Sequence, residues 1–258
     1  MEILKVYCTT RHFLSCNDKL SSMADKVLII VPAFNEEASI ERVLKELTQI
    51  SFPEARTSIC VINDGSTDRT AAIAYSYSVI LINLPINLGV GGAIRAGYRF
   101  AVDQGFNKVI HFDADGQHSS KHLQKMLNAL EENDVVIGSR YGAGDNSYRT
   151  KFHVRVAQIV LSTLIKIMHG LSVKDPTSGF RATRGELVKI YSRIYPSMFL
   201  ADTIGSTIQA KHHGFKITEI LTPMNDRENS KSSIGLPKRI KYFLLSLNLI
   251  LFWRDGSK

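Results

Sequence analysis

Short apolar runs alternate with helical patterns along the first 140 residues. Apolar runs typical of buried parallel strands lie at residues 27–31, 58–62, 79–82, 108–112 and 134–137. Apolar residues with helical spacing lie between these runs at 37–50, 89–102 and 121–130, and a further helix, which Ser66 or Thr67 could cap, runs toward Tyr77. This order predicts an α/β domain with a mostly parallel sheet and helices on both faces.

Polar residues follow three of the predicted strands at the point where each strand ends. Glu36 follows the first strand, Asp64 follows the second, and Asp113 and Asp115 follow the fourth. Ligands of such sheets bind beyond the carboxyl ends of the strands, so we expect these side chains to share one site.

The second half of the chain is less regular. The pattern predicts a long apolar helix at 151–171, a loop at 175–181, a helix at 203–212 and a strand at 216–221. An apolar run at 242–253 has basic residues on both sides, and its 12 residues are fewer than the roughly 20 that span a bilayer. The two basic apolar helices are either core helices or interfacial helices that bind anionic lipid.

Three parts of the chain differ in character. Residues 1–22 hold two of the three cysteines and lack a clear period or a long apolar signal sequence, which favours a disordered or misassigned extension before Met23. Residues 23–235 form the predicted catalytic domain. Residues 236–258 form a basic amphipathic C-terminal helix.

Composition narrows the class of partner. The 258 residues carry a formal net charge of +8, which favours nucleic acid, anionic lipid or phosphorylated substrates. No motif of basic and aromatic surface residues is evident, so nucleic acid is disfavoured. Three cysteines without a CxxC motif or a Cys/His cluster indicate a reducing compartment, with neither a disulfide framework nor a zinc site.

The pair Asp113 and Asp115 is the sharpest candidate for chemistry. Hard carboxylate oxygens suit Mg²⁺ or Mn²⁺, and such an ion neutralises the charge that develops on a departing diphosphate. Gln117 could add an amide oxygen. The alternative is a solvated acidic turn.

Three further features allow two interpretations each. Asp64 either accepts hydrogen bonds from a base or ribose, or belongs to a capped turn. The glycine-rich segment 87–93 either approaches a diphosphate or allows close helix packing, and its spacing is not GxGxxG. Arg140 and Arg227 either contact phosphate or are solvated surface residues.

Taken together, these segments resemble the family-2 glycosyltransferases with the GT-A fold, in the branch of dolichyl-phosphate mannosyltransferases and bacterial polyprenyl-phosphate glycosyltransferases. The resemblance covers about residues 27 to 235. The matching segments, in order, are 31–36, 63–68, 87–92, 113–117, 138–140, 175–181 and 227–233.

The resemblance implies roles for the matching residues. Nucleotide-sugar binding falls to Pro32, Phe34, Glu36, Asp64, Asp113, Ala114, Arg140, Lys231 and Ser232. The metal site falls to Asp113, Asp115 and Gln117. Catalysis falls to Asp115, Asp175, Asp202 and Arg227. Phe34 stands where the family often has tyrosine, and the motif around Lys231 departs from the usual order, which puts the role of this lysine in doubt.

The implied reaction is inverting transfer of a hexose from a UDP-glucose or GDP-mannose type of donor to a polyprenyl or dolichyl phosphate. We expect a peripheral protein at the cytoplasmic face of the membrane, with a separate integral-membrane protein as a candidate partner. A lipid phosphate is already ionised and needs no strong base, whereas a hydroxyl of a polysaccharide or lipid-linked glycan would need Asp175 or Asp202 as base. A non-catalytic nucleotide-binding module is the alternative from another class.

Overall fold

The computed structural model describes residues 25–52, 54–141, 152–196, 201–223 and 236–253. The strands are β1 (Asp25–Ala33), β2 (Ala55–Asn63), β3 (Ile80–Asn83), β4 (Lys108–His111), β5 (Val135–Ser139), β6 (Arg181–Arg184) and β7 (Ile217–Leu221). The α-helices are α1 (Ile40–Leu47), α2 (Thr70–Tyr75), α3 (Val90–Asp103), α4 (Leu123–Leu130), α5 (Phe152–His169), α6 (Glu186–Ile194), α7 (Ser206–His212) and α8 (Leu236–Leu251). A 3₁₀ turn (Ser120–His122) precedes α4, and a π-helical turn (Ala201–Gly205) precedes α7.

The seven strands form one sheet in the order β3-β2-β1-β4-β6-β5-β7. Four of the six neighbouring pairs are parallel, as the sequence predicts. β6 runs antiparallel to both β4 and β5, at a place where the sequence predicts a loop that ends at Arg181. Its residues, Arg-Ala-Thr-Arg, contain no apolar run, so the hydrophobic pattern does not reveal the strand.

The core has one layer on each face of the sheet because side chains alternate along β1. Leu28 and Ile30 pack with α3 and α6 on one face, whereas Val27, Ile29 and Val31 pack with α1 and α4 on the other. Helix α3 lies very close to β1, since a Cβ atom at Gly97 would come within 2.6 Å of the Ile30 side chain. Helices therefore cover both faces, as predicted.

The cap of α2 differs from the prediction. The helix begins at Thr70, and the Asp68 carboxylate accepts the N–H of Thr70 at 2.9 Å. Ser66 and Thr67 instead form hydrogen bonds with the loop after β1. Asp68 thus satisfies the first N–H of α2 from the position before the N-cap residue, Arg69, whose side chain forms no capping hydrogen bond.

Helices α5 and α8 pack against each other beside the sheet. Ile250 of α8 is fully buried in the core, so this helix is docked on the domain. Both helices also leave large apolar side chains exposed, among them Ile159, Ile167 and Leu244. Among the described helices, none is long and apolar enough to cross a bilayer. The predicted extension, 1–22, lies outside the described residues.

Candidate active cleft

A cleft of about 420 Å³ lies at the carboxyl ends of β1, β2 and β4. The segments that form it are the ends of these three strands and the turn that opens α3. The structure thus brings together seven of the predicted site residues, and the glycine turn completes the wall. The lining residues are Pro32, Ala33, Phe34, Glu36, Asp64, Asn87, Gly89, Val90, Ala93, Asp113, Ala114 and Asp115.

Hydrogen bonds between the loops after β1 and β2 fix one side of the cleft. The N–H of Asn35 donates to Ser66 Oγ at 3.0 Å, and the N–H of Thr67 donates to Asn35 Oδ1 at 2.9 Å. The N–H of Glu36 donates to Thr70 Oγ1 at 2.8 Å. Asn35 has a φ of 54°, a left-handed conformation that asparagine tolerates better than most residues. The polar residues of these loops therefore position Phe34 and Glu36.

Asp64 connects the second strand to the glycine turn. Its Oδ1 atom accepts the N–H of Leu88 at 2.7 Å, one residue before Gly89, whose φ is 77°. Burial raises the pKa of Asp64, and hydrogen bonds from the N–H groups of Leu88 and Gly89 only partly offset this effect. Asp64 thereby places the amino terminus of α3, which begins at Val90, in the cleft wall. Asp64 can therefore stabilise the turn before α3 and also face a ligand in the cleft, so the two interpretations of this residue are compatible.

Asp113 faces the cleft with about a third of its side chain exposed, 35%. The His118 Nε2–H donates to Asp113 Oδ2 at 2.9 Å, and the His118 ring stacks on Phe180 at 4.6 Å between centroids. Burial acts to raise the pKa of Asp113, but the hydrogen bond from His118 and the nearby positive charges outweigh it and lower the pKa. Asp113 is therefore ionised at neutral pH. Sequence reasoning missed His118, although it lies one residue beyond the motif at 113–117.

The donor set fits Mg²⁺ or Mn²⁺ held together with a diphosphate. Among the described residues, no group of three or more His, Cys, Asp or Glu side chains is placed to hold an ion. Two carboxylates completed by phosphate oxygens and water form the usual environment of Mg²⁺. Gln117 donates its backbone N–H to Asp115 Oδ1 at 3.0 Å and does not line the cleft, so its predicted role as a ligand lacks support.

A smaller pocket of about 190 Å³ adjoins the cleft and shares Val90 and Asp113 with it. Asp202, on the π-helical turn, lines this pocket. Burial raises the pKa of Asp202 to about 6, the Arg181 charge opposes the shift, and the Asp113 charge adds to it. Burial and the charge of Arg181 lower the pKa of His111, also in this pocket, to about 3, so its imidazole is neutral at physiological pH.

Arg181 joins two segments of the site, and it is the second such residue, after His118, that sequence reasoning missed. Its buried guanidinium donates to backbone carbonyl groups in the segment before β6 and to the turn that carries Asp202. The resemblance covers Arg181 but assigns it no role. Its acceptors are the carbonyl oxygens of Pro176, Ser178 and Thr203 and the hydroxyls of Ser206 and Thr207.

Asp175, a predicted catalytic residue, lies in a buried ion pair. This carboxylate is fully buried, and Arg140 donates to it from Nε and Nη2 at 2.7 Å each. Gln158 Nε2 donates to it at 3.0 Å. Burial acts to raise the pKa of Asp175, but the hydrogen bonds and charge of Arg140 outweigh it and lower the pKa. Asp175 lines neither pocket, and these contacts argue against a role as general base.

The Arg140 guanidinium forms the ion pair with Asp175 and also donates to Thr177 Oγ1 at 2.9 Å. Its predicted phosphate contact therefore requires groups that Asp175 and Thr177 already engage. The predicted residues Arg227, Lys231 and Ser232 lie outside the described residues, so their roles stay predictions.

The mostly parallel sheet, the covering helices and the acidic cleft at the strand ends define a GT-A type of nucleotide-sugar transferase fold. Residues 28–191 match the glycosyl transferase family 2, and the chain belongs to this family. The predicted fold class and the predicted family are both confirmed.

Known relatives agree with this assignment. The chain is 31% identical to a dolichyl-phosphate beta-glucosyltransferase of Trichomonas vaginalis, over 88% of this chain and 74% of the relative. It is 28% identical to a polyprenol monophosphomannose synthase of Mycolicibacterium smegmatis, over 81% of each chain. The fold is similar to that of glucosyl-3-phosphoglycerate synthase from Mycobacterium tuberculosis in complex with Mn²⁺, UDP and glucosyl-3-phosphoglycerate. The TM-score is 0.64 at 19% identity, over 90% of this chain and 82% of that one.

Proposed function

We propose that this glycosyltransferase moves a hexose from a UDP-glucose or GDP-mannose type of donor to a polyprenyl or dolichyl phosphate, with inversion, at the cytoplasmic face of a membrane. The observation that carries the proposal is one cleft that contains Asp113 and Asp115 together with Phe34, Glu36 and Asp64. The names of the relatives from Trichomonas vaginalis and Mycolicibacterium smegmatis support the lipid-phosphate acceptor.

The nucleotide lies in the larger cleft in this proposal. Phe34 is 46% exposed at the cleft wall, so its ring is accessible for stacking on the base. Asp113 and Asp115 would hold Mg²⁺ or Mn²⁺, which when bound neutralises negative charge on the departing nucleoside diphosphate. The amino terminus of α3 adds backbone N–H groups and a favourable helix dipole on the same wall.

The acceptor phosphate suits a groove of about 350 Å³ along α5. Arg155, Lys166 and Lys174 line this groove, and their charges favour a phosphate group. Gln158 lines it too and donates to Thr177 Oγ1 at 2.7 Å, and Thr177 lines the pocket beside Asp113. One hydrogen-bonded pair therefore connects the cationic groove with the catalytic side.

Exposed apolar side chains on α5 and α8 support contact with a membrane surface. Ile159, Ile167 and Met168 of α5 and Leu244 of α8 are large, apolar and exposed, and basic residues lie on the same helices. Such helices bind anionic lipid interfaces through both properties. A separate integral-membrane partner remains part of the proposal, and co-purification from membranes would test it.

Transfer to a sugar hydroxyl is the second candidate, and Asp202 is the observation that favours it. Its carboxylate lies in the pocket beside Asp113 and has a pKa of about 6. A carboxylate with a pKa near the working pH is a suitable general base for a hydroxyl acceptor. A phosphate acceptor does not need this base.

The deciding experiment is a donor and acceptor screen with the purified chain. Labelled UDP-glucose and GDP-mannose are incubated with Mn²⁺ or Mg²⁺, with and without polyprenyl phosphate in detergent. We expect label in an organic-soluble product only when lipid phosphate is present. Transfer to glycan hydroxyls but not to lipid phosphate would favour the second candidate. Nucleotide binding without turnover of any donor would favour a non-catalytic module.

A further inference from the structure

His111 lines the smaller pocket, and one of its ring nitrogens has no partner among the described residues. His111, at the end of β4, is 2% exposed, and its Nε2 atom forms no hydrogen bond with any described residue. Edge-on contacts with Tyr98 and Tyr195, at 5.1 and 5.8 Å between centroids, hold the ring in place. A buried polar atom without a partner is costly, and a ligand or a water that completes its hydrogen bonding is the usual explanation.

The groups around this nitrogen define the ligand's chemistry. The same 190 Å³ pocket is lined by the carboxylates of Asp113 and Asp202 and the side chains of Thr177 and Thr203. Two carboxylates disfavour an anionic group such as phosphate. A hydroxyl can donate to a carboxylate and can also donate to or accept from an imidazole nitrogen. The pocket therefore fits an uncharged group that bears several hydroxyls.

The position of the pocket indicates which part of the substrate this group belongs to. Asp113 lines both the pocket and the 420 Å³ cleft, and the pocket has less than half the cleft volume. A diphosphate held beside Asp113 would place the next chemical group, the sugar, at the pocket entrance.

We propose that His111 forms a hydrogen bond through Nε2 with a hydroxyl of the donor's sugar and contributes to the choice of sugar. This inference rests on the proposed function, because it takes the donor to be a nucleotide sugar. It assigns His111 the role of a specificity-determining residue.

The test is the substitution His111→Phe, which keeps an aromatic ring against both tyrosines and removes the nitrogen. Binding of UDP, GDP, UDP-glucose and GDP-mannose is measured by calorimetry in MnCl₂. We expect unchanged affinity for the free nucleotide and about tenfold weaker binding of the preferred nucleotide sugar, as for loss of one buried hydrogen bond. His111→Gln, with an amide near the Nε2 position, should recover part of this affinity.

Thermal unfolding separates a ligand-binding histidine from a structural one. His111→Phe removes an unsatisfied buried atom, so the ligand-free variant should melt at the same temperature as the wild type or above it. The matched control is Tyr98→Phe, which removes a hydroxyl bonded to Thr183 at 2.7 Å while keeping the ring that contacts His111. This control should retain full affinity for the nucleotide sugar.

Two results would overturn the inference alone. In the first, His111→Phe binds the free nucleotide, and its affinity for the nucleotide sugar exceeds that for the free nucleotide by the same factor as in the wild type. This result would mean that the nitrogen contacts only water. In the second, His111→Phe loses affinity for the nucleotide and for the nucleotide sugar equally and has a lower melting temperature than the wild type. A wild-type chain that binds no nucleotide at all would overturn the proposed function together with this inference.

Discussion

The two sides of the active cleft use their charged residues in different ways. On the side that we propose binds the nucleotide, called the nucleotide side, the strand ends present Glu36, Asp64 and Asp113 to the cleft. What we call the opposite side is the segment before β6, which reaches the smaller pocket through Thr177 and Gly179. There, Asp175 and Arg181 are buried and bonded to neighbouring segments. Asp113 keeps about a third of its side chain exposed, whereas Asp175 keeps none.

This difference shows that the hydrogen-bond partners of an aspartate indicate its role more reliably than its position in a sequence motif does. Asp175 accepts hydrogen bonds from the Arg140 backbone and side chain and from Gln158. Asp113 accepts a side-chain hydrogen bond from His118 and keeps a face toward the cleft. The first carboxylate stabilises the wall of the site, and the second is available for a ligand.

The largest expected effect comes from the cleft aspartates. In Asp113→Asn and Asp115→Asn, we expect transfer to fall by more than about 10³-fold, because the ion that stabilises the leaving diphosphate loses a charged ligand. The fold should be retained, since both side chains reach the cleft. Steady-state transfer assays and circular dichroism measure the two effects.

A surface aspartate provides the matched control for these variants. Asp103 ends α3 and pairs with Arg99 in an exposed i,i+4 contact, so Asp103→Asn should leave transfer and stability nearly unchanged. Full activity in Asp113→Asn would contradict the proposed metal site. A comparable loss in Asp103→Asn would show that the effect is not specific to the cleft.

The second expected effect is on stability. Asp175→Asn leaves the Arg140 guanidinium without its charged partner, and we expect the free energy of unfolding to fall by about 4 kcal/mol. Nucleotide binding should persist in the folded fraction. Urea denaturation followed by fluorescence measures the change in free energy.

The double variant Arg140→Met with Asp175→Leu tests whether this cost comes from the unpaired charge. Replacing both partners by apolar groups should recover part of the lost stability. If Asp175→Asn were as stable as the wild type but inactive, Asp175 would return as a candidate base. That outcome would remove the contrast between the two sides of the cleft.

The nucleotide side could be predicted from the sequence because its rules are local. Each of its strands is an apolar run with polar residues immediately after it, as at Glu36 and Asp64. Parallel strands bring such ends to one edge of a sheet, so spacing alone predicts a shared site. The structure places these residues around one cleft.

The opposite side could not be predicted because its contacts join distant segments. Arg181 lies in a strand of mixed polarity, and its acceptor Thr207 is 26 residues away in the chain. The pairing of β6 between β4 and β5 buries Arg181 and Thr183, at a place where the hydrophobic pattern predicts no strand. Nothing in the sequence shows that Arg140 and Asp175 pair with each other.

The third expected effect concerns Asp202, the acidic residue on this less predictable side. Its pKa is about 6 in the folded chain against 3.8 ordinarily. The folded state therefore binds a proton more tightly between these values. The stability that this provides is complete below about pH 4 and is lost as the pH rises through 6. Relative to Asp202→Asn, wild type should lose roughly 2 kcal/mol over this range. Urea unfolding at several pH values measures it.

Transfer assays with Asp202→Asn extend this test to the acceptor. With a lipid phosphate, the variant should keep most of its activity, because the acceptor is already ionised. With a hydroxyl acceptor, the activity of the variant should fall, because Asp202 would be the general base for that acceptor. The pH-dependent part of the wild-type stability should be lost in the variant as well. A stability difference that does not vary with pH would contradict the raised pKa.

The smallest expected effect tests the base-stacking role of Phe34 on the nucleotide side. Phe34→Leu keeps an apolar side chain in the cleft but removes the aromatic face, so UDP or GDP should bind about fivefold more weakly. Tyr75→Leu is the matched control, because Tyr75 is also an exposed aromatic residue, lies on α2 and does not line the cleft. Calorimetric titration in MnCl₂ compares the two variants. Equal affinities would mean that the base lies elsewhere, and the loops joined by Asn35 and Ser66 would then have a structural role only.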